Sequence, residues 1–146
     1  MDFSPHMRAA IGQAALSPSV EEVPVGCVIV HKNVVIAQTH NKTRALHDPT
    51  AHAEVLAIQE AGKFLNTHHL TECQLYVTLE PCAMCAAAIA HARIDTVFFG
   101  AYDPKGGAID HGPRLYNHTL FKPRVIGGMA EHECAQLLKT FFKDRR

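Results

Sequence analysis

Two short segments hold residue types that bind metal and move protons: His52-Ala53-Glu54 and Pro81-Cys82-Ala83-Met84-Cys85. Cys82 and Cys85 are three residues apart in what reads as the first turn of a helix opening at Pro81, a spacing that puts both sulfurs on one side. The unpaired N–H groups and the dipole at a helix start favour negative charge, so they favour the thiolate, which is the metal-binding form. A soft pair of this kind suits zinc. His52 supplies a third ligand from near the start of another expected helix, so two helix ends converge on one ion. Two thiolates and a neutral imidazole balance the charge of Zn2+, and three protein ligands leave a fourth position open, as in catalytic sites. Zinc in such a site lowers the pKa of water toward ~7. Glu54 lies about 200° around a regular helix from His52, so the two meet only in a pocket over the helix end, where the carboxylate can accept a proton. The plainer alternative is a structural zinc completed by a fourth protein ligand, for which His47 and His91 are candidates, with Glu54 simply an acid complementing the helix dipole.

These residues need elements to position them. A short amphipathic helix is expected over 5–16, ending near Ser17-Pro18. A hairpin follows, Val23 to Val30 and Val34 to Ala37 around Lys32-Asn33. Asp48-Pro49-Thr50 makes a turn before a helix from Ala51 to Leu65. Further strands are expected at 75–79, 96–99 and 124–126. A helix over 81–92, apolar nearly all round, should be well buried, with proline at its first position. The stretch 100–123 reads as loop. A last helix carries the stripe Ala130, Cys134, Leu137, Leu138, Phe141 and Phe142. Strand–helix alternation after an opening hairpin argues for an α/β protein: a mixed sheet of five strands with helices on its faces.

The chain of 146 residues suits one domain, 1–146, around one core. No apolar run approaches the ~20 residues of a membrane span, and the first residues lack the basic-then-apolar order of a secretory leader. A cytoplasmic protein is therefore expected. Five cysteines argue against a disulfide framework, and Cys27, Cys73 and Cys134 read as small buried hydrophobes. Formal net charge is zero, with 14 basic and 14 acidic residues, so charge alone does not point to nucleic acid. Lys139, Lys143, Arg145 and Arg146 close the last helix, where cations are favoured in any case.

H-x-E followed by P-C-x-x-C resembles the zinc signature of nucleobase deaminases. The likeness extends to Val23-Pro24-Val25-Gly26, to Asn41, to His47 through Glu54, to Tyr76 through Cys82, and to Gly100-Ala101 with Asp103 through Ala108. Over roughly residues 20–110 these segments are similar to the bacterial tRNA-specific adenosine deaminase family. The resemblance implies a three-layer α/β/α sandwich of cytidine deaminase type, a homodimer with one zinc per subunit, and conversion of adenosine to inosine at the wobble position of a tRNA anticodon arm. It implies that Glu54 shuttles protons to a ring nitrogen and to the leaving amine. It also implies that Asn41 hydrogen-bonds the flipped base, that the Ala53 backbone lies near it, and that Asp103 sits by the neighbouring nucleotides. An ordinary turn role is the alternative for Asn41 and an equal rival for Asp103, which is followed by Pro and Gly. Cys27, Tyr102, Ser17-Pro18-Ser19 and the stretch 114–124 depart from the family pattern. Two rivals remain at this level: a deaminase of a free base or nucleoside of guanine or cytosine type, and a non-catalytic RNA-binding protein with structural zinc.

Overall fold

The computed structural model describes residues 4–145. Ser4 caps the first helix, α1 (Pro5–Ala14), its Oγ accepting the His6 N–H at 3.1 Å, and Pro5 opens the helix where a missing N–H costs nothing. Strands β1 (Gly26–His31) and β2 (Val34–His40) form the expected hairpin. Lys32 and Asn33 both take left-handed conformations (φ 50° and 63°), the tight turn whose twist matches that of paired strands. β2 runs three residues past its apolar stretch. As an edge strand it tolerates Gln38 and His40, and the buried Thr39 hydroxyl donates to the Ala53 carbonyl at 2.6 Å.

After β2 come α2 (Ala53–Leu65), β3 (Cys73–Leu79), α3 (Ala83–His91), β4 (Thr96–Ala101), β5 (Arg124–Ile126) and α4 (Glu131–Lys143). The sheet order is β2-β1-β3-β4-β5. β1 runs antiparallel to both β2 and β3, while β3–β4 and β4–β5 are parallel. This is the mixed five-stranded sheet expected from the alternation. The period-two pattern of a strand splits β1 between two cores. Cys27 and Ile29 pack with Ala53, Ala57 and Ala61 of α2 and with Ala86 and Ile89 of α3. Val28 and Val30 face the other way, onto Met7 and Ala10 of α1 and Cys134 of α4. The helices therefore cover both faces, giving three layers. Gly26 lets α1 cross β1 closely, since a Cβ there would collide with the backbone of Ala10 and Ala14.

Three expectations need correction. Pro81 precedes α3 and is not its first residue; the helix starts at Ala83 behind Cys82. α3 is not buried all round either: Cys85, Ala86, Ile89 and Ala90 are buried, whereas Met84, Ala87 and Ala88 are half-exposed. A helix of small residues shows no polar face to mark which side meets the sheet. In α4, Cys134 and Phe141 are buried but Phe142 is 52% exposed. The apolar stripe is wider than the strip that one sheet face can cover. Among the described residues no helix is long and apolar enough to cross a membrane.

The antiparallel steps make β2, β3 and β4 run the same way. Their carboxyl ends share one edge of the sheet, and α2, α3 and the loop after β4 all begin there. Sites in α/β sheets gather at this edge.

Candidate active site

His52 and Cys82 occupy equivalent positions. Each is the extended cap residue of its helix, His52 at φ −74°, ψ 152° and Cys82 at φ −72°, ψ 175°. Their carbonyls accept the first intrahelical bonds, from Leu56 at 3.1 Å and Ala86 at 2.8 Å. Neither side chain caps its helix, so both are available to a ligand. Cys85 is the third residue of α3 and is buried. The three donor atoms lie within 4.8 Å of one another. His52 Nδ1 is 3.4 Å from Cys85 Sγ and 3.6 Å from Cys82 Sγ. Tetrahedral zinc, with bonds of about 2.3 Å to sulfur and 2.0 Å to nitrogen, separates an S and an N ligand by about 3.5 Å. The arrangement therefore fits zinc in donor type and in spacing. Among the described residues no fourth metal-binding side chain joins the cluster. His91 lies at the far end of α3, and His47 is exposed on the preceding loop in a left-handed conformation. Among the described residues a closed structural site therefore has no fourth protein ligand.

A hydrogen bond, and its proton, links the two thiols and moves them in opposite directions. Hydrogen bonding from Cys85, then from His52, brings the Cys82 thiol down to about 4 against the effect of burial. The hydrogen bond to Cys82 and burial push Cys85 up. Binding a metal to both sulfurs expels that proton. Glu54, in the first turn of α2, is 4% exposed. Burial raises its carboxyl to about 7, against the pull of its own N–H; the Cys82 charge raises it further and His52 lowers it. A divalent cation on the three ligands would draw it down again. Cys27 lies under this site, fully buried, and burial followed by the Glu54 charge pushes its thiol up.

Asn41 turns out to hold the start of α2. Its Oδ1 accepts the Ala53 N–H at 2.8 Å, taking up one of the unpaired donors of the first helical turn. Its NH2 group is the end left for a ligand. Ala53 is fully buried, with its N–H given to Asn41 and its carbonyl to Thr39. Asn41→Ala should therefore cost about 1 kcal/mol or more of stability, whereas Asn41→Asp keeps the acceptor and should cost little. Denaturant midpoints separate the two. Asp103 caps its own turn: Oδ1 accepts from Lys105 at 3.2 Å and Gly106 at 3.0 Å. At the C-terminus, Arg145 is engaged within the chain, with Glu21 at 2.8 Å and its guanidinium over Phe141 at 4.0 Å. Lys139 and Lys143 are exposed, and Arg146 lies outside the described residues.

The loops flanking the cluster are anchored by two buried carboxylates to which sequence reasoning gave no role. Glu22 accepts from the Thr43 hydroxyl at 3.1 Å and from the N–H groups of Arg44 and Ala45 at 3.0 and 2.9 Å. Glu80 takes up the loop after β4. The available signal was an acidic residue directly abutting an apolar segment, before Val23 in one case and after Leu79 in the other. Burial pushes the Glu80 carboxyl up. The Asp103 N–H, the His111 ring and the N–H groups of Asp110 and Ile109 outweigh it and hold the carboxyl below its ordinary range.

A three-layer sheet carrying a His/Cys/Cys cluster at its carboxyl edge, with a buried glutamate beside it, is the frame of a zinc-dependent deaminase. The model of the cytidine and deoxycytidylate deaminase zinc-binding region matches residues 3–101, and the chain belongs to that family. Within it, the tRNA-specific adenosine deaminase of Agrobacterium fabrum is 45% identical over 142 residues, covering 96% of this chain and 93% of its own. A solved structure from a study of A-to-I editing by tRNA:A34 deaminases at the wobble position of transfer RNA matches at a TM-score of 0.90 and 45% identity, over 92% of this chain and 99% of that one. The guanine deaminase of Bacillus subtilis matches less fully, at a TM-score of 0.65 and 38% identity, over 70% of this chain and 66% of that one.

Proposed function

We propose that this chain hydrolyses adenosine to inosine at the wobble position of a tRNA anticodon, releasing ammonia, and that it works as one deaminase domain holding one zinc per subunit. The observation that carries this reading is the extent of the likeness. It is a likeness in sequence held over almost the full length: 45% identity across 99% of a wobble deaminase, against 38% across two thirds of one guanine deaminase and 18% across 86% of another. His52, Cys82 and Cys85 hold the metal, which when bound supplies Lewis acidity that makes water a nucleophile at neutral pH. The Asn41 NH2 group, fixed through the bond from Oδ1 to Ala53, hydrogen-bonds the flipped base and orients its C6 edge. Ala53 backs the base, and Asp103 lies beside the flanking nucleotides. The Glu54 carboxylate takes one proton of the attacking water and gives it to the ring nitrogen next to C6; it then takes the remaining proton from the new C6 hydroxyl and passes it to the amine, which leaves as ammonia while the C6 carbonyl forms. Its burial keeps bulk water from competing for that proton.

The half-exposed face of Met84, Ala87 and Ala88 on α3, together with Phe64 at 68% exposure, supports a homodimer, since apolar surface of this kind marks an interface. A cytoplasmic, RNA-binding enzyme completes the reading. The test is an anticodon stem-loop with adenosine at the wobble position. Inosine is the expected product, with no turnover of free guanine, cytosine or their nucleosides. Turnover of a free base with none of the stem-loop would reverse the assignment.

A further inference from the structure

One loop, Asp103 to His111, delivers five hydrogen-bond donors to a single carboxylate. Glu80 Oε1 accepts from the Asp103 N–H at 3.0 Å and lies 2.8 Å from His111 Nδ1. Oε2 accepts from the N–H groups of Ile109, Asp110 and His111 at 3.2, 2.9 and 3.1 Å. The Glu80 side chain has no exposure. Gly107 closes the cradle: a Cβ there would collide with the carboxyl group and lie 2.6 Å from the Asp103 carbonyl oxygen. Ala108 adds a bond to the Pro81 carbonyl at 2.9 Å. The loop is thus stitched to 80–81, immediately before the Cys82 ligand. A carboxyl group without exposure, taking five donors from one loop, is a costly device for holding a turn. The same loop binds its own Asp103 turn and could close without it. What the buried charge adds is a fixed position for the loop relative to the metal-bearing end of α3.

We propose that Glu80 is a positioning residue for the polynucleotide: it sets the Asp103–His111 loop as the wall of the site against which the nucleotides flanking the reacting base are bound. This inference rests on the wobble-deaminase reading. Glu80→Gln tests it selectively. The amide oxygen satisfies the three donors at Oε2, and the NH2 group can donate to His111 once the ring changes tautomer. Only the Asp103 N–H then faces a donor. Gly107→Ala should act alike by displacing the carboxylate without removing its charge.

The measurements are steady-state kinetics on the wobble-adenosine stem-loop, zinc content, and amide exchange. Both variants should raise KM about tenfold, the loss expected for roughly one hydrogen bond's worth of positioning. kcat should stay within about twofold and zinc content should not change. Exchange should quicken across 103–111 and not across α3. A purely structural role would instead lower zinc content, kcat and thermal stability together, and would overturn the proposal. An unmoved KM in a wild type that does make inosine overturns it alone. A wild type silent on the stem-loop overturns the function reading, and this inference with it.

Discussion

Glu54→Ala is expected to keep its zinc and lose inosine formation by at least a thousandfold under single turnover, the upper part of the range for removing a group that both takes and gives protons. The three ligands do not include Glu54, so the metal should stay. The variant should not lose thermal stability either. Burial holds the Glu54 carboxyl at about 7, which means that folding works against its charged form. In the metal-free chain alanine removes that opposition, so the midpoint measured in the presence of a chelator should be unchanged or higher, the exchange of stability for activity common at catalytic sites. Glu54→Gln, of equal size, should be as inactive. Loss of zinc together with activity would make Glu54 part of the metal site and sink the proton-shuttle reading. Undiminished inosine formation would mean that another group moves the protons.

Cys85→Ala should lose zinc altogether. Two ligands remain, His52 and Cys82, and an ion held by two protein groups exchanges readily with a chelator. The stability consequence follows from linkage, because a metal that binds only the folded chain adds stability that grows with occupancy. Wild type should therefore melt lower in the presence of a chelator, whereas Cys85→Ala should already melt low and ignore the chelator. Atomic absorption and paired melting curves check both halves. A variant that still carries one tightly held zinc would mean that another group completes the site.

Much of this architecture is legible from residue types. The hairpin, the two ligand segments, the five strands and α4 follow from periodicity, turn chemistry and spacing. The misreadings share a cause: local patterns do not say what packs on what. Gln38 and His40 look like the end of β2, yet an edge strand can carry them. Cys82 looks like a residue of the first helical turn, yet the extended backbone around Pro81 makes it a cap, as His52 is for α2. Phe142 looks like core, yet α4 meets the sheet along a narrower strip than its sequence offers. Glu22 and Glu80 were invisible as anchors because their partners are mostly backbone N–H groups 22 to 31 residues away, and main-chain donors leave no trace in residue identity. The part Asn41 plays at the start of α2 was hidden for the same reason.

The ligand set has a history in time as well as a shape. His52 lies 30 residues before Cys82 and 33 before Cys85. During synthesis the imidazole emerges first, on a segment that follows the locally closing β1–β2 hairpin. The thiolates come only after α2 and β3 have been made, and β3 must then insert beside β1 across that long separation. Pairings of this kind form late. The ion therefore meets its three donors on a sheet that is already ordered, and it fastens a nearly finished fold instead of seeding one.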